Sequence, residues 1–291
     1  MLMEMHRVTL SVLFLAFVLL TPVRAIEEFP QVGSPYYNTT APTSSDIANW
    51  NTGWGTSGGE TGWNYVGQIN GLASGVYLGN GWALTAAHVP ISPGDTFVVD
   101  GGSYTIGASQ EVGTTDLRLF QISSQPSLPS LTLSGSPPVP FSQTQTGSSL
   151  AMLGFGNGGG TNETWGLDTV TQIDQEVDVS GFSSNDLFTI NGQYFDGSAS
   201  ITNNAQVVLY DSGGGDFIFN TTTQTWELAG INEVTGSGTI NGQNVTFSGM
   251  VQVNTYQSQI QGIIATPEPS TWALLGLGLA SVWGYSRRRV S

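Results

Sequence analysis

From about Tyr65 onward, the chain carries short runs in which apolar and β-branched residues alternate with polar ones, many of them closed by a glycine-bearing turn. In SGVYLGNGWALTAAH the runs Val76 to Leu78 and Trp82 to Thr85 flank Asn80-Gly81, a dipeptide suited to the two positive-φ positions of a type I′ hairpin. Asp100-Gly101 in TFVVDGGSYTIG repeats the device, as do Asn191-Gly192 and Asn241-Gly242, both inside the tetrad Ile-Asn-Gly-Gln. The flanks of those tetrads differ and show no fixed period, so shared turn chemistry explains them better than a repeat architecture. Helical spacing is scarce until NTYQSQIQGII, where Tyr256, Ile260, Ile263 and Ile264 predict one helix over 254–264. Many short strands with tight turns and one terminal helix predict an all-β chain, an antiparallel sandwich or barrel.

Three stretches interrupt this pattern. Residues 26–61 are rich in Pro, Asn, Thr, Ser and Gly and read as a loose leader or irregular N-terminal arm. SSQPSLPSLTLSGSPPVPF, from Ser123 to Phe141, is free of charge and rich in Pro and Ser. It divides the body into halves of similar size, with a linker over 126–141. At the start, Arg7 precedes the apolar run Val8 to Leu20, and Val23 and Ala25 are the small residues a signal peptidase reads, so residues 1–25 are expected to leave as an export signal.

The C-terminal end is a second address. Residues 266–291 read TPEPSTWALLGLGLASVWGYSRRRVS, a Pro-Glu-Pro followed by an apolar stretch and then Arg287, Arg288 and Arg289, which favour the cytoplasmic side. The three parts in this order resemble the PEP-CTERM sorting signal of exported proteins in Gram-negative bacteria. That resemblance implies an exosortase-type sorting enzyme as partner, and a secreted or envelope protein held by a transmembrane tail, transiently or stably, over 265–291.

Charge and rare residues narrow the chemistry between these ends. The chain has no cysteine, so an exported body must hold together without disulfides. It has no lysine, and with Arg7 and Arg24 in the signal and three arginines in the tail, Arg118 is the one cation of the body, set against all of the 21 acids except Glu4 in the signal and Glu268 in the tail. Such a body repels phosphates, which excludes nucleic acid as a partner. With one histidine and no cysteine, no metal-ligand cluster is expected, no calcium-loop spacing is recognisable, and no cofactor is implied.

Histidine is the sharper clue. Of His6 and His88, the first lies in the export signal, leaving one imidazole in the mature chain. A serine hydroxyl is a weak nucleophile that needs a neighbouring base, and the base needs an acceptor to fix its tautomer. His88 follows the strand-like WALTAA, Asp116 precedes the apolar LRLFQI, and Ser212 sits in LYDSGGGDF.

LTAAH, DLRLF and DSGG, in that order, resemble the three active-site signatures of trypsin-like (chymotrypsin-fold) serine endopeptidases. Gly154-Phe155-Gly156, WELAGI and SGMVQVNTYQSQI resemble later parts of the same domain, so the likeness spans about 62–264. It implies two six-stranded antiparallel barrels, about 62–125 and 142–264, and a protein or peptide substrate. Ser212 would be the nucleophile, His88 the general base and acid, Asp116 the orienting carboxylate, and the N–H groups of Tyr210 and Ser212 the oxyanion hole. Gln206, Glu233 and Gly249 would border the primary specificity pocket, and neutral Gln206 points to uncharged side chains.

The chain also departs from that family. Tyr210 and Gly215 stand where it has glycine and proline, and a side chain at Tyr210 bears on the oxyanion hole. In the family the acid at Asp211 pairs with an amine freed by cleavage after a basic residue. No Lys or Arg lies between Ala25 and Arg118, so this route is not expected. Either Asp211 has another partner or cleavage occurs at a non-basic site; export-signal removal itself would expose Ile26, far upstream in sequence. The short interval from His88 to Asp116 implies trimmed loops. A catalytically weak or inactive module of the same fold with an adhesive or matrix role is the alternative reading.

Overall fold

The computed structural model describes residues 26–28, 36–54, 59–142, 145–156, 162–191, 205–240 and 243–265. The export signal (1–25), Gly192, the Asn241-Gly242 turn and the tail from Thr266 onward lie outside the described residues. The chain up to Gln257 forms one unit, and the described part of a second begins at Ser258 within the last helix.

A two-residue strand β1 (Glu27–Glu28) and a helical turn α1 (Gly62–Tyr65) precede the first closed barrel. That barrel consists of β2 (Val66–Ile69), β3 (Ala73–Gly79), β4 (Trp82–Thr85), β5 (Thr96–Val99), β6 (Gly102–Glu111) and β7 (Arg118–Ile122), in the order β2-β3-β4-β7-β6-β5. The second contains β8 (Ser149–Gly154), β9 (Thr164–Val179) and β10 (Phe182–Asn191). After the outlying β11 (Ala205–Gln206) follow β12 (Gly215–Asn220), β13 (Thr225–Ile240) and β14 (Gln243–Gln252), closed as β10-β14-β13-β12-β8-β9. Helix α2 (Val253–Ile264) ends the series. The two six-stranded antiparallel barrels and terminal helix match the predicted fold class.

Turn chemistry sets the hairpins. Asn80 and Gly81 have φ 53 and 78, and Asp100 and Gly101 have 49 and 70, the paired positive values of type I′ turns. Inside the first barrel Phe97 and Phe120 meet edge to face at 5.2 Å. Gly67 is needed there, because a Cβ on it would lie 2.6 Å from the Phe97 ring. The second barrel encloses Leu150, Met152, Val170, Leu187, Ala229 and Met250, together with Ile26 from the chain's beginning.

Two features differ from the sequence-based expectation. β9 and β13 each run 16 residues rather than forming short strands. Each changes partner along its length, β13 pairing with β12 up to Ile231 and with β14 from Gly230, as the stagger of a closed barrel requires. The segment 36–54 is irregular but not loose. Trp50 and Trp54 are buried, Trp54 stacks on Trp226 at 5.3 Å, and both ring systems contact one another at 4.8 Å. Large aromatic contacts of this kind fasten an irregular segment without any ladder, at about 0.5–1.5 kcal/mol per pair beyond simple burial.

The linker fastens to both barrels. Leu131 N–H donates to Leu78 O (3.1 Å) in the first, and Leu228 N–H of the second donates to Thr132 O (2.9 Å). The barrels also meet directly where Ser74 N–H donates to Ser212 O (3.0 Å).

Candidate active site

β4 and β7 are neighbours, with Thr85 opposite Arg118, so the segments leaving β4 and entering β7 emerge side by side. His88 lies just past β4 and Asp116 just before β7, and Ala87 N–H donates to Asp116 O (3.2 Å) to join them. Asp116 is fully buried, accepting His88 N–H at Oδ1 (2.7 Å) and lying 2.5 Å from His88 Nδ1 through Oδ2. A carboxylate only accepts, so Nδ1 carries the proton and Nε2 of the neutral ring is left to accept. Ser212 Oγ stands 2.8 Å from that Nε2. Asp116 N–H in turn donates to Ser184 Oγ on β10 (2.8 Å), a partner that no sequence motif marks.

Close packing behind Ser212 fixes its height. Gly213 has φ +85, and a Cβ there would fall 2.1 Å from both Ser74 O and Thr85 Oγ1. A Cβ on Gly214 would lie 2.3 Å from Leu153 O. Only glycine satisfies both the dihedral and the space.

Tyr210 has φ +78, the left-handed region usually left to glycine. The side chain that replaces the family's glycine therefore does not prevent the backbone from adopting the conformation; it makes the conformation strained, by about 1–2 kcal/mol. Around it, Asp211 N–H donates to Val208 O, Gly213 N–H to Asn232 O and Gly214 N–H to Asp211 O. The N–H groups of Tyr210 and Ser212 donate to no group among the described residues.

Asp211 is fully buried, with Gly156 N–H on Oδ1 (2.9 Å) and Val208 N–H on Oδ2 (2.8 Å). The backbone N–H of Ile26 is its third donor. Burial pushes its carboxyl up to about 7 despite these hydrogen bonds. Ile26, far upstream in sequence, arrives here because β1 pairs with β11 (Glu27 opposite Gln206) and its own carbonyl accepts the Thr164 hydroxyl (3.3 Å). Gly154 leaves the room, since a Cβ on it would sit 2.5 Å from Asp211 Oδ1.

A groove of about 540 Å³ opens beside His88 and Ser212, walled by Leu72, Val179, Val207, Leu209, Tyr210 and Val234. The sequence-predicted pocket residues stand behind or at this wall. Gln206 is buried and donates to Thr235 Oγ1 (2.8 Å), Thr235 itself facing the groove. Gly249 lies between Val234 and Phe188, where a Cβ would come within 2.8 Å of both. Glu233 borders the groove but is buried, within hydrogen-bonding reach of Asp116 and of Asp186 on β10. Asp186 is a further acid that sequence reasoning did not single out.

Arg118 donates to Glu111 (2.8 Å) and to Val89 O (3.2 Å), leaving it off the site. Among the described residues no group of three His, Cys, Asp or Glu is arranged to hold a metal ion, and no helix is long and apolar enough to cross a membrane.

No curated protein is detectably similar to the chain. The PEP-CTERM protein-sorting motif matches residues 265–289. Among solved structures the chain is similar to the Rv3671c protease of M. tuberculosis. The active form shares 17% identity at TM-score 0.49, covering 71% of this chain and 83% of that one. An inactive form shares 17% at 0.47 (70% and 90%), and a serine-to-alanine mutant in inactive form 18% at 0.47 (70% and 89%). The chain thus combines a two-barrel all-β body with a C-terminal PEP-CTERM protein-sorting motif.

Proposed function

We propose that the chain is an exported, surface-sorted serine endopeptidase. The observation that carries this reading is the continuous line Asp116 Oδ2, His88 Nδ1, His88 Nε2, Ser212 Oγ, at 2.5 and 2.8 Å, built on the one histidine of the mature chain. Ser212 Oγ attacks the scissile carbonyl while His88 Nε2 takes its proton, and the N–H groups of Tyr210 and Ser212 hold the developing oxyanion. His88 returns the proton to the leaving amine, and an acyl-enzyme remains until water, activated by the same imidazole, releases it. Asp116 keeps the proton on Nδ1 and stabilises the imidazolium. The apolar groove wall favours uncharged substrate side chains.

In this reading residues 62–264 are the protease domain, 126–141 its linker and 26–61 an arm built onto the second barrel. The tail over 265–291 is the element that an exosortase-type enzyme handles and that holds the protein to the membrane. Removal of the export signal after Ala25 supplies the activating step. It turns the buried Ile26 N–H beside Asp211 into an ammonium group, and the ion pair locks the segment that carries Tyr210 and Ser212.

Two measurements test this. A fluorophosphonate probe labels the chain 26–265 and fails to label its Ser212→Ala variant; absence of labelling in the parent near neutral pH refutes the enzyme reading. A chain with extra residues ahead of Ile26 labels at least about tenfold more slowly, because its Asp211 faces an amide instead of an ammonium. Equal rates with and without the extension refute the activation step alone. The alternative, an inactive adhesive module, is favoured by the side chain of Tyr210; its φ of +78, a conformation glycine adopts freely, supports the enzyme reading.

A further inference from the structure

The second barrel holds a carboxyl pair directly behind Asp116. β13 is regular up to Asn232, opposite Met250, and resumes at Val234, opposite Gly249. Glu233 is thus the extra residue of a β-bulge, a device that re-aims a side chain out of the ladder. Its carboxyl reaches both Asp186, fully buried on β10, and Asp116.

Neither oxygen of Asp186 and neither oxygen of Glu233 receives an N–H or O–H from any other residue among those described. No cation among the described residues faces them. Asp116 and His88 lie on one side, and Tyr256, whose hydroxyl accepts Asn185 N–H (2.7 Å), lies near both acids with Glu176 beyond it. Arg118 is occupied by Glu111. Two bare carboxylates without donors would carry a desolvation cost that nothing repays. A proton on each acid supplies the missing donors, Asp186 O–H to Glu233 and Glu233 O–H onward to Asp116, since a protonated carboxyl donates once and still accepts.

We infer that Glu233 is a positioning residue held as a neutral carboxylic acid, donating its O–H to the Asp116 carboxylate and extending the Ser212–His88–Asp116 line by a fourth member, with Asp186 behind it. Asp116 already accepts from His88 at both oxygens. A third donor fixes the plane of the Asp116 carboxyl group without a cation. Burial and the neighbouring acids push the Glu233 carboxyl far above the usual range, in the same direction as the geometry.

The inference rests on the proposed triad, and the experiment separates the two. In chain 26–265 the fluorophosphonate labelling rate is measured from pH 5 to 9 for the parent, Glu233→Gln and Glu233→Met. The single imidazole is followed by ¹⁵N-histidine NMR. The glutamine amide still donates, so its rate stays within about threefold of the parent. Methionine keeps the volume without a donor and labels about tenfold more slowly or worse, with a displaced His88 titration. An unlabelled parent refutes the triad itself. A labelled parent with a folded methionine variant that matches it, or a glutamine variant as slow as methionine, overturns the role of Glu233 alone. If the methionine variant does not fold, infrared difference spectra decide. A protonated-carboxyl band of the parent at neutral pH that disappears in Glu233→Gln supports the inference, and a parent-minus-variant spectrum with no such band overturns it.

Discussion

Replacing Tyr210 by glycine isolates the backbone of the oxyanion segment. The residue sits at φ +78 and is 42% exposed, so the side chain contributes little burial and the dihedral carries most of the energy. Glycine relieves about 1–2 kcal/mol of left-handed strain and costs about 0.5–1 kcal/mol in added unfolded-state freedom. The net is a gain of up to about 1.5 kcal/mol, with a rise in Tm of about 2–4 °C per kcal/mol in a domain of this size. Tyr210→Ala keeps the strain and loses the ring contacts, so it is no more stable than the parent. Tyr210→Pro removes the N–H and fixes φ near −65°, which takes away one oxyanion donor at a cost of about 100-fold or more. The assay pairs thermal unfolding with the fluorophosphonate labelling rate of chain 26–265. The ordering for labelling is glycine equal to or above tyrosine, alanine close to tyrosine, proline far below. A folded glycine variant that loses labelling as proline does, or a folded proline variant that labels like the parent, refutes the assignment of Tyr210 N–H to the oxyanion.

Other substitutions probe separate links. Asp211→Asn, which cannot pair with a freed Ile26 amine, labels at least about tenfold more slowly than the parent from the same start site, and the N-terminal extension slows it no further. Asp186 is raised to about 7 by burial, above its ordinary 3.8, so the native state holds that proton after the unfolded chain has lost it. Its effect on stability is nil below pH ~4 and grows to a penalty of the order of 4 kcal/mol as pH rises through 7. Asp186→Asn is therefore less pH-sensitive in Tm than the parent, with a difference that widens from pH 4.5 to 7.5; a constant difference contradicts the buried proton. Trp54→Ala removes a buried ring packed on Trp50, Trp226 and Phe217 and lowers stability by about 3–5 kcal/mol in urea unfolding, whereas a truly loose arm would show no change.

What could be read from the chain was what local chemistry encodes. Asn80-Gly81 and Asp100-Gly101 take their turn type from two residues, and α2 starts one residue before its predicted beginning because four spaced apolar residues define its face. His88, Asp116 and Ser212, whose side chains the structure brings within hydrogen-bonding distance, were singled out by the motifs LTAAH, DLRLF and DSGG, in which short stretches carry the signal. Non-local pairings were not. The seat of Ile26 depends on a two-residue ladder between β1 and β11, too short to leave an alternating pattern. The buried tryptophans of 36–54 sit in polar surroundings that read as loop, and only their spacing hints at a shared face. The bulge at Glu233 is invisible because a bulge is a mismatch between two strands, and one strand's sequence cannot display it.

The scarcity of cations ties these features together. A fold with one arginine in its body cannot satisfy buried carboxylates with guanidinium or ammonium partners, yet Glu163, Asp168 and Asp216 are buried and their carboxyls lie well above the usual range. Protons are the remaining counter-charge, which makes neutral acids structural elements of the second barrel. At Asp211 that solution is provisional. Its carboxyl sits near 7 while Ile26 offers an amide, and in the proposed activation step the ammonium created by export-signal removal would convert it to a paired carboxylate. In a body with one arginine, the new amino terminus of the proposed activation step is the positive charge that would act on Asp211. On that proposal, the cation that completes the site would arise only once export has removed the signal.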